Sequence, residues 1–370
     1  MEIAGFGVEE WLNVYETQAT YDIAQSTVSS MTMNELLNMG QVNSQDFYRD
    51  LDAQKMNYGW IEGSPAFKTE VSHLYKTVSP EQVLQTNGAT GANQLALYAL
   101  IEPGDHVISM YPSYQQLYDI PKSLGAEVDF WNISEENQWM PDLDELRTLI
   151  RPNTKMICLN NANNPTGTVI ETNLMTEIVK IAKEVGAYVL VDEVYLPLDD
   201  TTDVSSIVDL YDKGIATNSL SKTYSTPGIR IGWTVANPAI TDIFRKYRDY
   251  TMICAGVFND QMAVHILKNK DLVLDRNRKI VKQNLKILTD WVDDEPAVSL
   301  VVPKSVSTSF IKFETIEDDE QFCKKLLKDY GVLMVPGSRF GVPGHARLGY
   351  CAKESVLVEG LKRLSQALHE

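Results

Sequence analysis

The sequence predicts an α/β fold: a large domain built on a mainly parallel sheet flanked by helices, then a smaller α+β domain at the C-terminus. Three observations carry this expectation. From Val83 to Trp233 apolar strand-like runs alternate with helical segments, the pattern of a sheet covered by its own crossovers. After Pro296 that alternation gives way to short strands grouped around helices. At 370 residues the chain is long enough for two cores. The expected division is residues 1–50 as a segment packing with the small domain, 51–290 as the large domain and 291–370 as the small one.

Glu9 to Tyr15 reads as a short amphipathic helix. Thr32 opens another, with Glu35 placed to complete a capping box. Between them Tyr21 to Thr27 is extended and polar. Gly59 and Gly63 bound a turn that begins at Tyr58, and Ser64-Pro65 then starts a helix, since proline is tolerated in the first helical turn. Val83 to Thr86 is a strand, and Gly88-Ala89-Thr90 is a small-residue turn into a helix that continues through Leu100. Small residues at a helix N-terminus let a phosphate approach the unpaired N–H groups and the positive end of the dipole. Alone, this signal is weak.

Pro103-Gly104-Asp105 turns into the strand His106–Met110, which runs on to Tyr111-Pro112-Ser113-Tyr114. An aromatic just past a strand's carboxyl end stands where parallel sheets bind ligands. Glu127 to Ile133 is a further strand, Asp142 to Ile150 a helix, and Lys155 to Leu159 a buried strand leading into Asn163-Asn164-Pro165-Thr166-Gly167. A helix from about Thr172 to Val185 returns the chain to the strand Ala187–Val191, which ends in Asp192-Glu193-Val194-Tyr195. An acid in that position is often only a turn residue or a helix cap, so Asp192 takes its meaning from its company. Long amphipathic helices follow, from Ile240 to Tyr250 and from Gln261 towards Trp291, the second bridging to the small domain. There, Val298–Pro303, Ser309–Phe313, Val332–Val335 and Ala346–Tyr350 read as strands, and Asp319–Tyr330 and the C-terminal stretch as helices.

Composition narrows the class of partner. A formal net charge of −17 repels a phosphate backbone and argues against nucleic acid. No run of about eighteen apolar residues exists, which excludes a membrane-spanning helix. The start, Met1-Glu2-Ile3-Ala4, lacks the pattern of a signal peptide, so a cytoplasmic location is expected. The four cysteines are scattered and only five histidines occur, so neither a disulfide framework nor a metal site is expected.

The chemistry concentrates in Ser219-Leu220-Ser221-Lys222-Thr223-Tyr224, with Arg230 eight residues after the lysine. An amine can condense with a carbonyl, a planar guanidinium grips a phosphate by two parallel hydrogen bonds, and the serine hydroxyls add donors. A phosphorylated aldehyde matches that set, and pyridoxal 5′-phosphate has that shape.

This segment resembles the lysine signature of the fold-type I pyridoxal-phosphate enzymes, in particular the class I and II aminotransferases, and motifs in the family's order extend the resemblance over nearly the whole chain. It departs from the family at Ser225-Thr226. The resemblance implies an aspartate-aminotransferase-like fold with Lys222 as the Schiff-base lysine. Ser219, Ser221, Arg230 and the Gly88-Ala89-Thr90 turn would hold the phosphate, and Tyr114 would stack on the pyridine ring. Asn164 would reach the ring hydroxyl and border the substrate, Tyr195 would bond the ring oxygen, and Asp192 would face the ring nitrogen. Tyr58 would reach the cofactor phosphate of a neighbouring subunit, which makes the expected assembly a homodimer. Arg347 would take the substrate α-carboxylate.

The implied activity is transfer of an amino group from an amino acid to a 2-oxo acid. A carbon–sulfur β-lyase, or a synthase or cyclase working through a carbanion, would use the same residues. A ligand sensor built on this fold would need a DNA-binding extension, and none is legible. Family members that prefer dicarboxylates place a second arginine near the side chain. Thr251 to Phe258 offers none, so a neutral or apolar side chain is expected.

Overall fold

In this computed structural model residues 2–40, 42–199 and 201–370 are described. The central sheet has seven strands, in the order Val83–Thr86, Gly232–Ala236, Gly214–Ser219, Tyr188–Asp192, Thr154–Asn160, His106–Tyr111 and Glu127–Asn132. Six run in one direction. Gly232–Ala236 is reversed and pairs antiparallel with both neighbours, while the other pairings are parallel. Val83–Thr86, Gly214–Ser219 and Gly232–Ala236 are buried along their whole length. Burial on both faces explains why these strands read as continuous apolar and small-residue runs without alternation.

The covering helices follow from their spacing. Thr172–Val185 buries Met175, Ile178, Val179 and Ala182, three or four residues apart on one stripe. Gly186 ends that helix at φ +67°, a left-handed conformation that glycine adopts without penalty. On the other face, Leu95, Leu97 and Leu100 of Gly88–Leu100 pack with Leu84, Val107 and Ile215 of the sheet.

The small domain holds an antiparallel sheet in the order Val335–Pro336, His345–Leu348, Ser309–Phe313, Val298–Leu300, with the helices Asp319–Tyr330 and Glu354–Leu368. The N-terminal segment is tied to it by strand pairing and by side-chain contacts. Tyr21–Asp22 pairs in parallel with Val332–Leu333, and the buried Trp11 donates its indole N–H to the Met334 carbonyl at 2.8 Å. The helix Gly7–Tyr15 also meets the large domain: Gly7 N donates to Gln115 Oε1 at 2.8 Å, and Gln115 Nε2 donates to the Gly5 carbonyl at 2.7 Å.

The Thr32–Glu35 capping box is present, with Glu35 N donating to Thr32 Oγ1 and Thr32 N to Glu35 Oε2. Two expected elements divide. The long helix anticipated from Gln261 is two, Val257–Lys268 and Lys270–Asp294, because Asn269 leaves the helical region at φ −109°, ψ 20° and turns its side-chain amide back to the His265 carbonyl. The strand anticipated over Val332–Val335 splits at Met334 and serves two sheets. A helix at Ser44–Asp52, unannounced by the sequence reading, buries no residue.

Candidate active site

The carboxyl ends of the parallel strands and the entrance of the reversed one share a single edge of the sheet, which is why residues far apart in sequence line one cavity of about 410 Å³. Ala89 and Thr90 follow the first strand, Tyr114 follows His106–Tyr111, and Asn164 follows Thr154–Asn160. Asp192 ends the next strand and Tyr195 lies three residues past it. Ser219, Ser221 and Lys222 follow Gly214–Ser219, and Arg230 precedes Gly232. The small domain contributes Arg347.

At the anionic end, Arg230 Nη1 donates to the Pro227 carbonyl at 3.0 Å and to Ser221 Oγ at 3.4 Å. Gly88 lies against this guanidinium. A Cβ there would stand 2.5 Å from Arg230 Nη2, and the backbone is left-handed at φ +66°. The first turn of Gly88–Leu100 therefore presents bare backbone N–H groups beside a cation, an arrangement suited to a phosphate. Ser219 Oγ accepts the Ser221 N–H at 3.2 Å, which fixes the turn leading to Lys222.

At the opposite end stands Asp192, 2% exposed. One carboxylate oxygen accepts the Val194 N–H at 3.1 Å and the other the Asn93 amide at 2.7 Å. Asn93 in turn accepts from Thr217 Oγ1 at 2.6 Å, so the amide orientation is set by a third residue. Burial pushes the Asp192 carboxyl up to about 6, and the hydrogen bonds from Asn93 and Val194 and the charge of Lys222 restrain the rise.

Lys222 lies between these ends. Burial, with the positive charges of Arg347 and Arg230, brings its amine down from the ordinary 10.5 to about 8. Nζ donates to Ser26 Oγ at 3.0 Å, and the Tyr195 hydroxyl donates to the same oxygen at 2.8 Å. Burial also pushes the Tyr195 phenol up to about 12. Tyr114 is likewise raised by burial and packs its ring 5.2 Å from Phe6.

Arg347, 3% exposed, donates Nη1 to Asn164 Oδ1 at 3.1 Å and Nη2 to the Ala24 carbonyl at 2.9 Å. Its Nε is buried without a partner among the described residues. Asn164 is held by its own N–H, which donates to Asn160 Oδ1 at 2.7 Å.

Tyr58, expected to serve a neighbouring subunit, lies away from its own chain's cavity. It is 82% exposed and borders a surface hollow with Gly59 and Val257, so it adds nothing to its own chain's cavity. Sequence reading missed Glu9, Ser26 and Asn93. Asn93 left a usable signal, a polar residue on the helix stripe formed by Ala92, Leu95 and Ala96. Ser26 and Glu9 left none, because the long-range docking of the N-terminal segment is what brings them to the site.

The donor set fits pyridoxal phosphate: one amine of lowered proton affinity, one buried carboxylate, a glycine-floored cradle beside a guanidinium, and hydroxyls at both ends. The family model for aminotransferase class I and II matches residues 35–364. The chain belongs to this family and, with it, to the pyridoxal-phosphate-dependent transaminases. A crystal structure of a PLP-dependent aminotransferase from Streptococcus suis is 60% identical, with a TM-score of 0.98 over 100% of this chain and 98% of that one. An aspartate aminotransferase from Thermotoga maritima is 30% identical over 80% of this chain and 77% of its own length. A capreomycidine synthase from Streptomyces vinaceus is 28% identical over 98% of this chain and 93% of its own length.

Proposed function

We propose that the chain works as a cytoplasmic homodimer in which Lys222 both tethers the cofactor and moves the substrate proton, while Arg347 orients the amino acid. The observation that carries this reading is the position of the Lys222 amine between a buried carboxylate and a guanidinium, with its proton affinity lowered to about 8. Near neutral pH such an amine is neutral often enough to act as a nucleophile and a base.

Pyridoxal phosphate, when bound, supplies an aldehyde that captures amines and a ring that accepts an electron pair. The protein supplies the rest. Arg230, Ser219, Ser221 and the first turn of Gly88–Leu100 would hold the phosphate. Asp192, kept dry and fixed by Asn93, would keep a proton on the ring nitrogen, so that the ring draws electrons. Asn164 and Tyr195 would grip the ring oxygen. Arg347, with Nε unpaired, offers the substrate α-carboxylate a cationic donor set already held in place by Asn164 and Ala24. Lys222 Nζ, when not tethered, would serve as the base that takes the proton of the substrate α-carbon and holds it for return.

Tyr58 would complete the phosphate site of the partner, which accounts for a tyrosine so exposed on one chain. No helix among the described residues is long and apolar enough to cross a membrane.

Reduction of the loaded protein with borohydride should fix the cofactor on the peptide carrying Lys222, and attachment to another lysine would refute the assignment. The relation to a capreomycidine synthase keeps a synthase or cyclase as the second reading. It begins with the same proton abstraction and differs in the fate of the nitrogen. Single-turnover incubation with amino acids should leave the nitrogen on the protein-bound cofactor, whereas free ammonia would point to a β-lyase, and an altered amino acid that keeps its nitrogen would point to the synthase or cyclase.

A further inference from the structure

Helix Gly7–Tyr15 brings one carboxylate to the cavity. Its seating is specific: Gln115 clasps Gly5 and Gly7, Trp11 is anchored on Met334, and Gly7 packs where a Cβ would stand 2.8 Å from the Arg339 carbonyl. Phe6 lies against Tyr114. In this seating the two adjacent acids diverge. Glu10 turns to Arg339, at 3.9 Å, whereas Glu9 lines the cavity and takes no ion pair or side-chain hydrogen bond among the described residues. Its charge reaches across the site, favouring the protonated forms of Lys222 and Arg347 and opposing ionisation of Tyr114 and Tyr195.

The cavity therefore has two unequal poles on the substrate side. Arg347 is buried, with Nε unsatisfied, and calls for a carboxylate. Glu9 calls for a cation. A ligand satisfying both carries a carboxylate at one end and an ammonium or guanidinium at the other. The expectation of a neutral or apolar side chain rested on the missing arginine alone and took no account of the N-terminal helix. A second acidic group on the substrate would face Glu9 directly, and like charges at close range oppose binding.

We infer that Glu9 selects amino acids with a cationic side chain, of the arginine, ornithine or lysine type, as the amino donor. The inference rests on the transaminase reading and on Arg347 as its carboxylate anchor. A charged hydrogen bond in a site closed by substrate is worth about tenfold or more in affinity, and salt weakens it.

The test uses isosteric pairs on the cofactor-loaded enzyme. Arginine and citrulline differ in charge and hardly in shape, as do 5-guanidinopentanoate and 5-ureidopentanoate, which lack the amino group and bind without reacting. Wild type should convert arginine about tenfold faster than citrulline at subsaturating concentration, and calorimetry should show the same preference for the guanidino acid. Glu9→Gln should remove both preferences. Equal handling of each pair by wild type, or a preference that persists in Glu9→Gln, overturns the inference. If no amino acid of any charge transfers nitrogen to the cofactor, the transaminase reading fails instead; conversion of neutral amino acids without a charge preference leaves that reading intact and overturns only the role of Glu9.

Discussion

Lys222 and Tyr195 converge on one oxygen, the hydroxyl of Ser26, at 3.0 and 2.8 Å. A residue from the N-terminal segment thus positions an amine and a phenol carried by the central sheet. Ser26→Ala removes a neutral acceptor from both, a change of about 0.5–1.5 kcal/mol per hydrogen bond. We expect kcat to fall about threefold to tenfold with KM nearly unchanged, as steady-state kinetics will show. An unchanged kcat would mean that the contact is incidental.

The lowered proton affinity of Lys222 gives a pH signature in the cofactor-free protein. Its folded value, about 8, lies below the ordinary 10.5. The folded state is therefore penalised fully below pH 8, and the penalty fades as pH rises from 8 to 10.5. Lys222→Met should melt higher than wild type at pH 7, with the gap closing across that window. Cofactor capture by wild type should accelerate with pH up to about 8 and then level, because the neutral amine is the nucleophile.

Gly88 tests the cradle. Gly88→Ala combines a left-handed backbone with a Cβ 2.5 Å from Arg230 Nη2, and should cost roughly 1–3 kcal/mol in stability while weakening cofactor retention. Gly104→Ala is the control: its φ is +87° but nothing lies within 4 Å of the added Cβ. It should lose stability alone, with cofactor affinity measured by fluorescence titration unchanged.

Asn93 supports Asp192 without lining the cavity. Asn93→Ala leaves a buried carboxylate oxygen and the Thr217 hydroxyl without partners, a cost of about 1–3 kcal/mol. Losing a donor raises the carboxyl further above 6. Since both folded carboxyls are protonated below about 6, and only the variant's is protonated between 6 and its own higher value, the variant's melting deficit should shrink as pH falls towards 6 and stay level below it.

Assembly can be read by complementation. Tyr58→Phe and Lys222→Ala proteins, each impaired alone, should regain activity when mixed, because a mixed dimer contains one site free of both changes. Failure to regain activity, with exchange verified by mass, would count against a shared site.

The sheet was legible because each strand is a short apolar run closed by a polar ligand-facing residue: Asp192 after Tyr188–Val191 and Asn164 after the run ending at Asn160 show the pattern. The helix Thr172–Val185 was legible to the residue from its apolar spacing. What escaped depends on contacts across the chain. Nothing local marks Ser26, 196 residues from Lys222, or Glu9, whose place follows from Trp11 reaching Met334. Asn269 escaped for another reason: its neighbours keep helical propensity on both sides, so the break is tertiary and invisible to periodicity.

The reversed strand Gly232–Ala236 couples two tasks through one short loop. Leu220 N donates to the Ile231 carbonyl at 3.1 Å and Thr226 N to the Leu220 carbonyl at 3.0 Å, closing the loop that carries Lys222 on one arm and Arg230 on the other. A parallel return would have had to carry the chain back along the sheet, usually through a helix, before the next strand could begin. Here tether and anchor are mounted on a single hinge-free bracket, so their spacing behaves as one inherited dimension: residues inserted after Thr226 would let them drift apart together with the ligand they grip, whereas length added in loops elsewhere on the sheet would leave that dimension untouched.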